Sequence, residues 1–366
     1  MVAAWLKLIV AFLYVAVLTA ISSGDVNRLG SVVARISADK TFIISPTSFN
    51  VALHIAEAGS SGQTAREIRP LLLPIEPQSS SVAVAGDVQT SSATKIWISK
   101  RFHSRPAFER IARETYGAAI ARVDFANGQG ERDIASWLAD SSKGVITSAP
   151  FSAETLAVVA NVSTFHATWK RQFDPKLTTE APFQGKRGRE NAHLMLTARV
   201  LSYREDRYGK TVALDYAWPY RMILFLPGKE SANPLATFLE SGINAPLRNR
   251  YVEVYLPRVH AKSRVNLVTA AEELGIRTAF SPDADFSTLL GVSHVPLSVF
   301  FQDASLSIDE RGTSAVTATE FSAAEEGVPL ATPPPKIRFD RPFAFAIVRS
   351  DEGRVLFEGQ ILDIEP

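Results

Sequence analysis

The chain has 366 residues, of which 46% are hydrophobic and 21% are charged, a composition that excludes intrinsic disorder and fibrous repeats. Its 39 Lys and Arg residues and 38 Asp and Glu residues leave a formal net charge of +1, so no bulk field draws it to nucleic acid or to an anionic membrane. Because the sequence contains no cysteine, disulfides, thiolate catalysis, iron–sulfur clusters and cysteine-based zinc sites are excluded.

The one long apolar run of the sequence lies at the N-terminus. Lys7 precedes a mainly apolar run over 8–20, and small and polar residues follow at 21–24. This order is typical of a secretory signal peptide, whereas a membrane-spanning helix needs roughly 20 apolar residues. We therefore predict a signal peptide over 1–24 and a secreted, extracellular protein without membrane attachment after cleavage. A membrane anchor or a buried first helix is the alternative.

The first half of the chain is predicted to be rich in helices. Ser45 and Pro46 provide an N-cap and a first helical residue for a helix that ends at Gly59. The other elements predicted in this half are a short helix over 25–36, a strand at 41–44, a surface loop over 74–92, a strand at 93–99, helices at 106–116 and 134–143, and a buried strand at 156–165.

Strands dominate the chain after Trp169. Short runs rich in β-branched and aromatic residues alternate there with turn residues, as expected for strands. The runs cover residues 211–216, 222–226, 252–256, 265–268, 295–301, 305–308, 343–348 and 355–361. A helix-rich half followed by a strand-rich half indicates an α+β fold rather than alternating βαβ units.

One long segment, residues 311–335, contains no predicted element. It has no basic residue after Arg311 and ends in three prolines. A segment of this length inside a compact domain is generally a functional loop or a linker, and the predicted strands on both sides of it argue against a linker.

The usual motifs of nucleotide, metal and hydrolase sites are missing from the sequence. Gly59-Ser-Ser-Gly62 lacks the lysine of a phosphate-binding loop, and no Gly-x-Ser-x-Gly motif occurs. The six histidines never stand at metal-ligand spacing; they are His54, His103, His166, His193, His260 and His294. The sequence therefore gives no support for nucleotide binding, a zinc site or a hydrolase triad.

Ordered motifs from about Asp25 to Ile364 resemble those of one family, the serpins, which are inhibitors of serine proteases. The strongest matches are Ile308-Asp-Glu-Arg-Gly-Thr313 and the segment 339–359. Further matching segments are 44–48, 59–62, 116–125, 134–137, 161–175, 256–258, 274–280 and 284–287.

The resemblance implies an α+β serpin fold of about nine helices and three β-sheets. It implies a single domain over 25–366, an exposed reactive-centre loop at about 311–335, and a monomeric inhibitor that is not an enzyme and needs neither a cofactor nor a metal. In such a protein a serine endopeptidase cleaves the loop, which then inserts into the central sheet and traps the protease covalently before the acyl-enzyme hydrolyses.

The start of the loop is composed like a strand that can enter a sheet. The residues that the resemblance assigns to the loop hinge are Glu310, Gly312, Thr313, Ser314, Ala315, Val316, Thr317, Ala318 and Thr319. Only Thr and Ala stand at the odd-numbered positions of 313–319, so one face of an inserted strand would carry small residues. Proline and charged residues, which would oppose burial in a sheet, are absent from 312–319. A merely solvated loop is the alternative.

Ser45, Ser48, Asn161 and Gln302 form the sheet-opening cluster that the resemblance implies. Many family members have His at the position of Gln302; glutamine can donate and accept hydrogen bonds, but it does not change charge between pH 5 and 8.

The Ser- and Pro-rich loop over 74–92 also replaces the helix that binds glycosaminoglycans in some members. We therefore do not expect a glycosaminoglycan partner or heparin activation.

Asn161 also begins the only Asn-x-Ser/Thr triplet, Asn161-Val-Ser163, which is a glycan acceptor in secreted proteins. The triplet lies within the predicted buried strand, where a glycan has no room. We therefore expect Asn161 to be an unmodified structural residue.

The reactive bond has two candidates. The resemblance makes Glu310 the seventeenth residue before the bond, which gives Glu326-Gly327. Measuring back from Pro342 by the spacing of many family members gives Leu330-Ala331 instead. We favour Glu326-Gly327, because the inserted segment must match a sheet of fixed length and extra residues beyond it only lengthen an exposed connection. Since the loop contains no Lys or Arg after its first residue, the target protease is predicted to cleave after acidic residues, or after Leu, and not to be trypsin-like.

A non-inhibitory, serpin-like binding or carrier protein is the alternative function. Such members often break the small-residue hinge, which is intact here. An inhibitor forms an SDS-stable complex with a protease, whereas a carrier gives only a clipped chain, so this one observation separates the two hypotheses.

Overall fold

The computed structural model describes residues 28–75, 82–85, 88–142, 152, 154–228, 231–313 and 333–364. The predicted signal peptide, the hinge beyond Thr313 and both candidate reactive bonds lie outside these residues.

Eight helices lie within the described ranges, which agrees with the approximate number expected. They are α1 (28–36), α2 (Pro46–Gly59), α3 (Gly62–Ile68), α4 (Pro106–Tyr116), α5 (Gln129–Ser141), α6 (Pro234–Ser241), α7 (Leu267–Glu273) and α8 (Ser287–Leu290). Helix α2 begins as predicted, because Ser45 Oγ accepts a hydrogen bond from the Ser48 N–H at 3.3 Å and Pro46 occupies the first turn.

The strands number sixteen in the part of the chain that the structure describes. They are β1 (Phe42–Ile44), β2 (Val82–Ala85), β3 (Val88–Ser99), β4 (Ala119–Val123), β5 (Ala157–Thr168), β6 (Thr179–Gln184), β7 (Arg189–Glu205), β8 (Gly209–Asp215), β9 (Tyr220–Pro227), β10 (Arg248–Pro257), β11 (Val259–Asn266), β12 (Val299–Ile308), β13 (Gly312–Thr313), β14 (Lys336–Arg338), β15 (Phe343–Arg349) and β16 (Arg354–Ile361).

Seven of these strands form the central sheet, in the order β11-β12-β13-β5-β3-β2, with β4 paired to the other half of β3. The prediction of a surface loop over 74–92 is wrong at 82–85 and from Val88 onward, where β2 and β3 pair as antiparallel strands. Residues 89–92 are polar, so their local propensity for a strand is low. Pairing of Gln89–Ser92 with Ser163–His166 of β5 decides their conformation instead.

The other nine strands form one continuous sheet in the order β1-β16-β15-β9-β8-β7-β10-β14, with β6 beside β7. Strand β7 is 17 residues long, and it pairs with β6 through its first residues and with β8 through its last four. It thereby joins two groups of strands, and the described residues form two sheets where about three were expected.

Apolar side chains fill the space on both sides of the central sheet. One group packs between the helices and the two sheets, and a second lies between the sheets themselves. A third group lies under α5, where Trp97 of β3 meets Trp137 of α5 edge to face at 5.1 Å. The part of the central sheet under α5 is therefore covered on both faces, and its strands can separate there only if that packing shifts. Beyond it, alternate residues of β5 and β12 such as His166 and Ser307 are half-buried.

Candidate functional site

Two parallel strands of the central sheet pair with each other over a short segment only. Strands β5 and β12 pair directly only over Val158–Ser163 and Val299–Ala304, and we call this pairing the seam. Above the seam the two strands diverge, and β13 lies between them, antiparallel to both. The site lies where the direct pairing of β5 with β12 ends and β13 fills the gap between them.

The four residues predicted to control sheet opening meet at the seam. Gln302 Nε2 donates to Asn161 Oδ1 across it at 3.2 Å. The same side chain joins β12 to the start of α2, because Gln302 Oε1 accepts from the Ser45 N–H at 2.6 Å and Nε2 donates to Ser45 O at 3.2 Å. Ser48 Oγ lies 3.0 Å from Ser45 Oγ. The four residues are buried, so each bond is shielded from water.

Three further hydroxyl groups complete the opening cluster. Asn161 Nδ2 donates to Ser92 Oγ and to Thr94 Oγ1, both at 3.0 Å. Ser163 Oγ lies 2.7 Å from both Ser48 Oγ and Asn161 Oδ1. None of the three was predicted, although Ser163 follows Asn161 by two residues and therefore shares its face of β5, while Ser92 and Thr94 are their partners on β3.

Asn161 is fully buried, with an exposed fraction of 0%, and its amide nitrogen has three acceptors in β3. A glycan on this nitrogen is incompatible with the folded domain. The structure thus gives the Asn161 side chain a structural place, as expected.

A buried ion pair flanks the uncharged opening cluster. Asp303 is 1% exposed and accepts from Arg264 at 2.8 and 2.7 Å. Burial raises the pKa of Asp303, and the hydrogen bonds and charge of Arg264 offset this rise only in part. Charge is therefore present beside the seam, whereas the groups that cross it are amides and hydroxyls.

Glu310, the first residue of the predicted hinge, is fixed above the seam by Arg258 and Thr178. Arg258 donates to its carboxylate at 2.7 and 3.0 Å, and Thr178 Oγ1 donates at 2.6 Å. Burial raises the pKa of Glu310, but the hydrogen bonds from Arg258 and Thr178 outweigh this effect and the pKa is lowered overall. Glu310 therefore remains ionised at neutral pH and anchors the base of the loop.

Gly312 and Thr313 already form a strand within the gap. Thr313 is 1% exposed, and its hydroxyl forms a hydrogen bond with the hydroxyl of Tyr216. A Cβ atom at Gly312 would collide with the backbone of Ala167 and Thr168 in β5, so this close approach requires glycine.

Trp169 supports the base of the loop from below. Its ring stacks on Tyr216 at 4.6 Å and meets Phe173 edge to face at 6.3 Å. Its indole N–H donates to Asp309 O at 2.9 Å, and its backbone N–H donates to Arg311 O at 2.8 Å. The turn between β12 and β13 is thereby held on a rigid aromatic support.

Within the described ranges, no group of three His, Asp or Glu side chains is placed to hold a metal ion. No described helix is both long enough and apolar enough to cross a membrane.

Comparison with known sequences identifies the same family along almost the whole chain. The family model described as Serpin (serine protease inhibitor) matches residues 27–364. A "Serine protease inhibitor" of Cyanea capillata is 26% identical over 354 residues, which cover 88% of this chain and 92% of that protein. Alpha-1-antitrypsin 1-2 of Mus musculus is 26% identical over 352 residues, which cover 89% of this chain and 84% of that protein.

Solved structures share the fold. Serpin48 of the insect Tenebrio molitor superposes with a TM-score of 0.81 at 24% identity, covering 94% of this chain and 98% of its own. Human thyroxine-binding globulin in complex with thyroxine superposes with a TM-score of 0.82 at 21% identity, covering 95% of this chain and 100% of its own. With the family match over 27–364, these findings show that the chain belongs to the serpin family of serine protease inhibitors, which are not enzymes.

Proposed function

We propose that this serpin is a secreted, monomeric inhibitor of serine endopeptidases that is cleaved in its reactive-centre loop and traps the protease by inserting that loop between β5 and β12. The observation that carries the proposal is β13. Gly312 and Thr313 of the hinge are already hydrogen-bonded in the gap, and both are small enough to lie under the packed sheet. Insertion would thus extend an existing strand, without a new strand having to nucleate.

The register of β13 indicates where an inserted strand would run. Gly312 pairs with Thr168, and the two strands are antiparallel. Continued without a bulge, this register brings Thr319 opposite Asn161, and the pairing of β13 with β12 brings the same residue opposite Gln302. Thr319 would then separate the two amides, so insertion to this depth requires their hydrogen bond to break.

The same register supports Glu326-Gly327 as the reactive bond. Residue 323 would lie opposite Ala157, the first residue of β5, so the sheet can accept a strand that begins at Gly312 and ends near 323. Glu326 lies just beyond that end, whereas Leu330 lies four residues further. A bond next to the end of the inserted strand leaves little slack between the sheet and an attached protease.

The serpin fold alone does not establish inhibition, because thyroxine-binding globulin has the same fold. The intact hinge favours an inhibitor over a carrier, since its small residues can be buried without strain or unpaired charge. Secretion rests on the N-terminal apolar run, which has the order of a signal peptide.

The proposed function predicts an SDS-stable complex with a protease that cleaves after acidic residues. We expect a glutamyl-specific serine protease to be trapped, because Glu326 would occupy its basic specificity pocket. Mixing the two proteins, resolving the products by denaturing electrophoresis and sequencing the released C-terminal fragment checks this, and the fragment should begin at Gly327.

Two matched variants identify the reactive bond. Glu326→Ala should lose the complex with the glutamyl protease, and Leu330→Ala should keep it. A fragment that begins at Ala331, formed by a chymotrypsin- or elastase-like protease, would assign the bond to Leu330. Rapid trapping of trypsin would contradict both assignments, and clipping by every protease without a complex would favour the carrier.

Replacing Thr313 by Arg should convert the inhibitor into a substrate. The guanidinium would have to be buried against Tyr216, which costs several kcal/mol and blocks the first inserted position. Ser314→Arg is the matched control, since alternation places its side chain on the opposite face of the strand. We expect the ratio of cleaved chain to complex to rise strongly for Thr313→Arg only; equal complex formation by both variants would contradict insertion from this end.

Cleavage in the loop should raise the thermal stability of the protein. An inserted strand adds backbone hydrogen bonds to both β5 and β12, each worth about 0.5–1.5 kcal/mol net. Melting curves of intact and loop-cleaved protein measure this gain, with Thr313→Arg as the control that gains less. Coincident curves for intact and cleaved wild-type protein would mean that the loop does not insert.

Truncation of Asn161 to Ala should loosen the seam. Gln302, Ser163 and Thr94 would lose a buried partner, at about 1–3 kcal/mol for each group left unpaired. We expect faster loss of the active monomer on warming, with polymers visible by size-exclusion chromatography, because an opened sheet exposes strand edges. Asn249→Ala, at an exposed position of β10, is the control; equal monomer lifetimes for the two variants would argue against this role.

A further inference from the structure

In the nine-stranded sheet lies a buried carboxyl group for which the described residues offer no hydrogen-bond partner. Glu358 of β16 is 0% exposed and pairs in register with Ile44 of β1 and with Ala346 of β15. Among the described residues, neither of its side-chain oxygens finds a hydrogen-bond partner. Such a group is costly to bury, and a charge there is far more costly.

The next residue on the same face of β16, Gln360, is also buried, but its side chain has hydrogen-bond partners. Gln360 donates from Nε2 to Ser37 O at 3.3 Å and to Lys40 O at 3.1 Å, and its Oε1 accepts from the Leu235 N–H at 3.3 Å. Glu358 has no equivalent set of contacts. Its carboxyl group therefore remains uncompensated although its neighbour is fully bonded.

Helix α1 packs directly on this carboxyl group. A Cβ atom at Gly30 of α1 would collide with Oε1 of Glu358, so the helix reaches the sheet only because residue 30 has no side chain. The contact leaves no room beside Glu358 for solvent or for a counter-ion on this side. Ionisation would place a negative charge under the backbone of the helix.

The ionisable groups on the elements around Glu358 are exposed or bonded elsewhere. Arg35 pairs with Glu273, Glu57 pairs with Arg69, and His54 bonds to the backbone of residue 73. Four further ionisable groups are exposed: Arg28 of α1, Asp39 and Lys40 of the following turn, and Glu240 of α6. The last two, Arg349 of β15 and Arg354 of β16, both pair with Glu352. Burial alone raises the pKa of Glu358, to about 8.

We propose that Glu358 is a pH-sensitive switch of native-state stability: while its carboxyl is protonated, α1 and β1 stay packed on it, and its ionisation loosens that packing. The proposal does not depend on inhibition or on loop insertion. Glu358 lies in the nine-stranded sheet, whereas the seam lies in the central sheet. The groups that cross the seam between β5 and β12 are uncharged.

The direction of the pH dependence follows from proton linkage. In the unfolded chain the carboxyl has its ordinary pKa of 4.5, and in the folded protein the value is about 8. Between these values the folded state binds a proton that the unfolded state has released, so the contribution of Glu358 to stability is greatest below about pH 4.5 and is lost as the pH rises towards 8. Within this window the equilibrium constant for unfolding rises by up to about tenfold per pH unit.

Urea unfolding of wild-type protein and of Glu358→Gln from pH 5 to pH 8.5 tests the switch. Glutamine has nearly the shape of the protonated carboxyl but cannot ionise, so the two midpoints should be close at pH 5. The midpoint of the variant should exceed that of the wild type progressively as the pH rises. Contributions of all other titrating groups cancel in this difference.

Two further variants keep the test decisive. Glu114→Gln, at an exposed position of α4, should follow the wild-type curve at every pH. Glu358→Met replaces the variant if the glutamine protein does not fold, and it should show the same loss of pH dependence. Curves for wild type and the Glu358 variants that stay parallel from pH 5 to 8.5 overturn the proposal.

Discussion

The direct pairing of Val158–Ser163 with Val299–Ala304 is the interaction on which the central sheet depends. This pairing joins two parallel strands that diverge immediately above it. There β13 already lies between them, so the pairing is what holds β5 and β12 together below β13. Apolar residues on its faces supply packing, but the groups that bridge it are amides and hydroxyls. Such bonds can be exchanged for others of the same kind, whereas a buried ion pair across the gap would leave two unpaired charges when it opened.

The surrounding structure restricts opening to this line. On one side β5 is bound to β3 over ten residue pairs, and on the other β12 is bound to β11 over eight. The ion pair of Arg264 with Asp303 reinforces the β11–β12 side. The two halves of the sheet meet at this short junction, which the bond between Asn161 and Gln302 crosses. We propose that this bond controls how readily the halves part.

The sequence predicts helices in the first half of the chain, the α+β class and the family, because periodic patterns and ordered motifs are local signals. The three described helices of the second half, α6, α7 and α8, were not predicted. Four residues of the opening cluster, Ser45, Ser48, Asn161 and Gln302, were recognised by resemblance, and their contacts at the seam are what the structure adds. Ser92, Thr94 and Ser163 were missed because their roles depend on strand register, which a polar segment does not reveal. The long strand β7 and the joining of two sheets were missed for a related reason: its residues alternate poorly between polar and apolar. Nothing in the run Val355-Leu-Phe-Glu-Gly indicates that Glu358 lacks a partner, since that depends on where α1 packs.

The order of strands in the nine-stranded sheet has a consequence for a chain that is cut in its loop. Three strands follow the loop, and β15 lies inside the sheet between β9 and β16, while β14 lies beside β10. A break before β14 therefore releases no peptide. The molecule becomes a heterodimer of two fragments of one gene product, which the strand pairings of the intact sheet hold together. In native buffer it keeps the hydrodynamic size of the uncut chain.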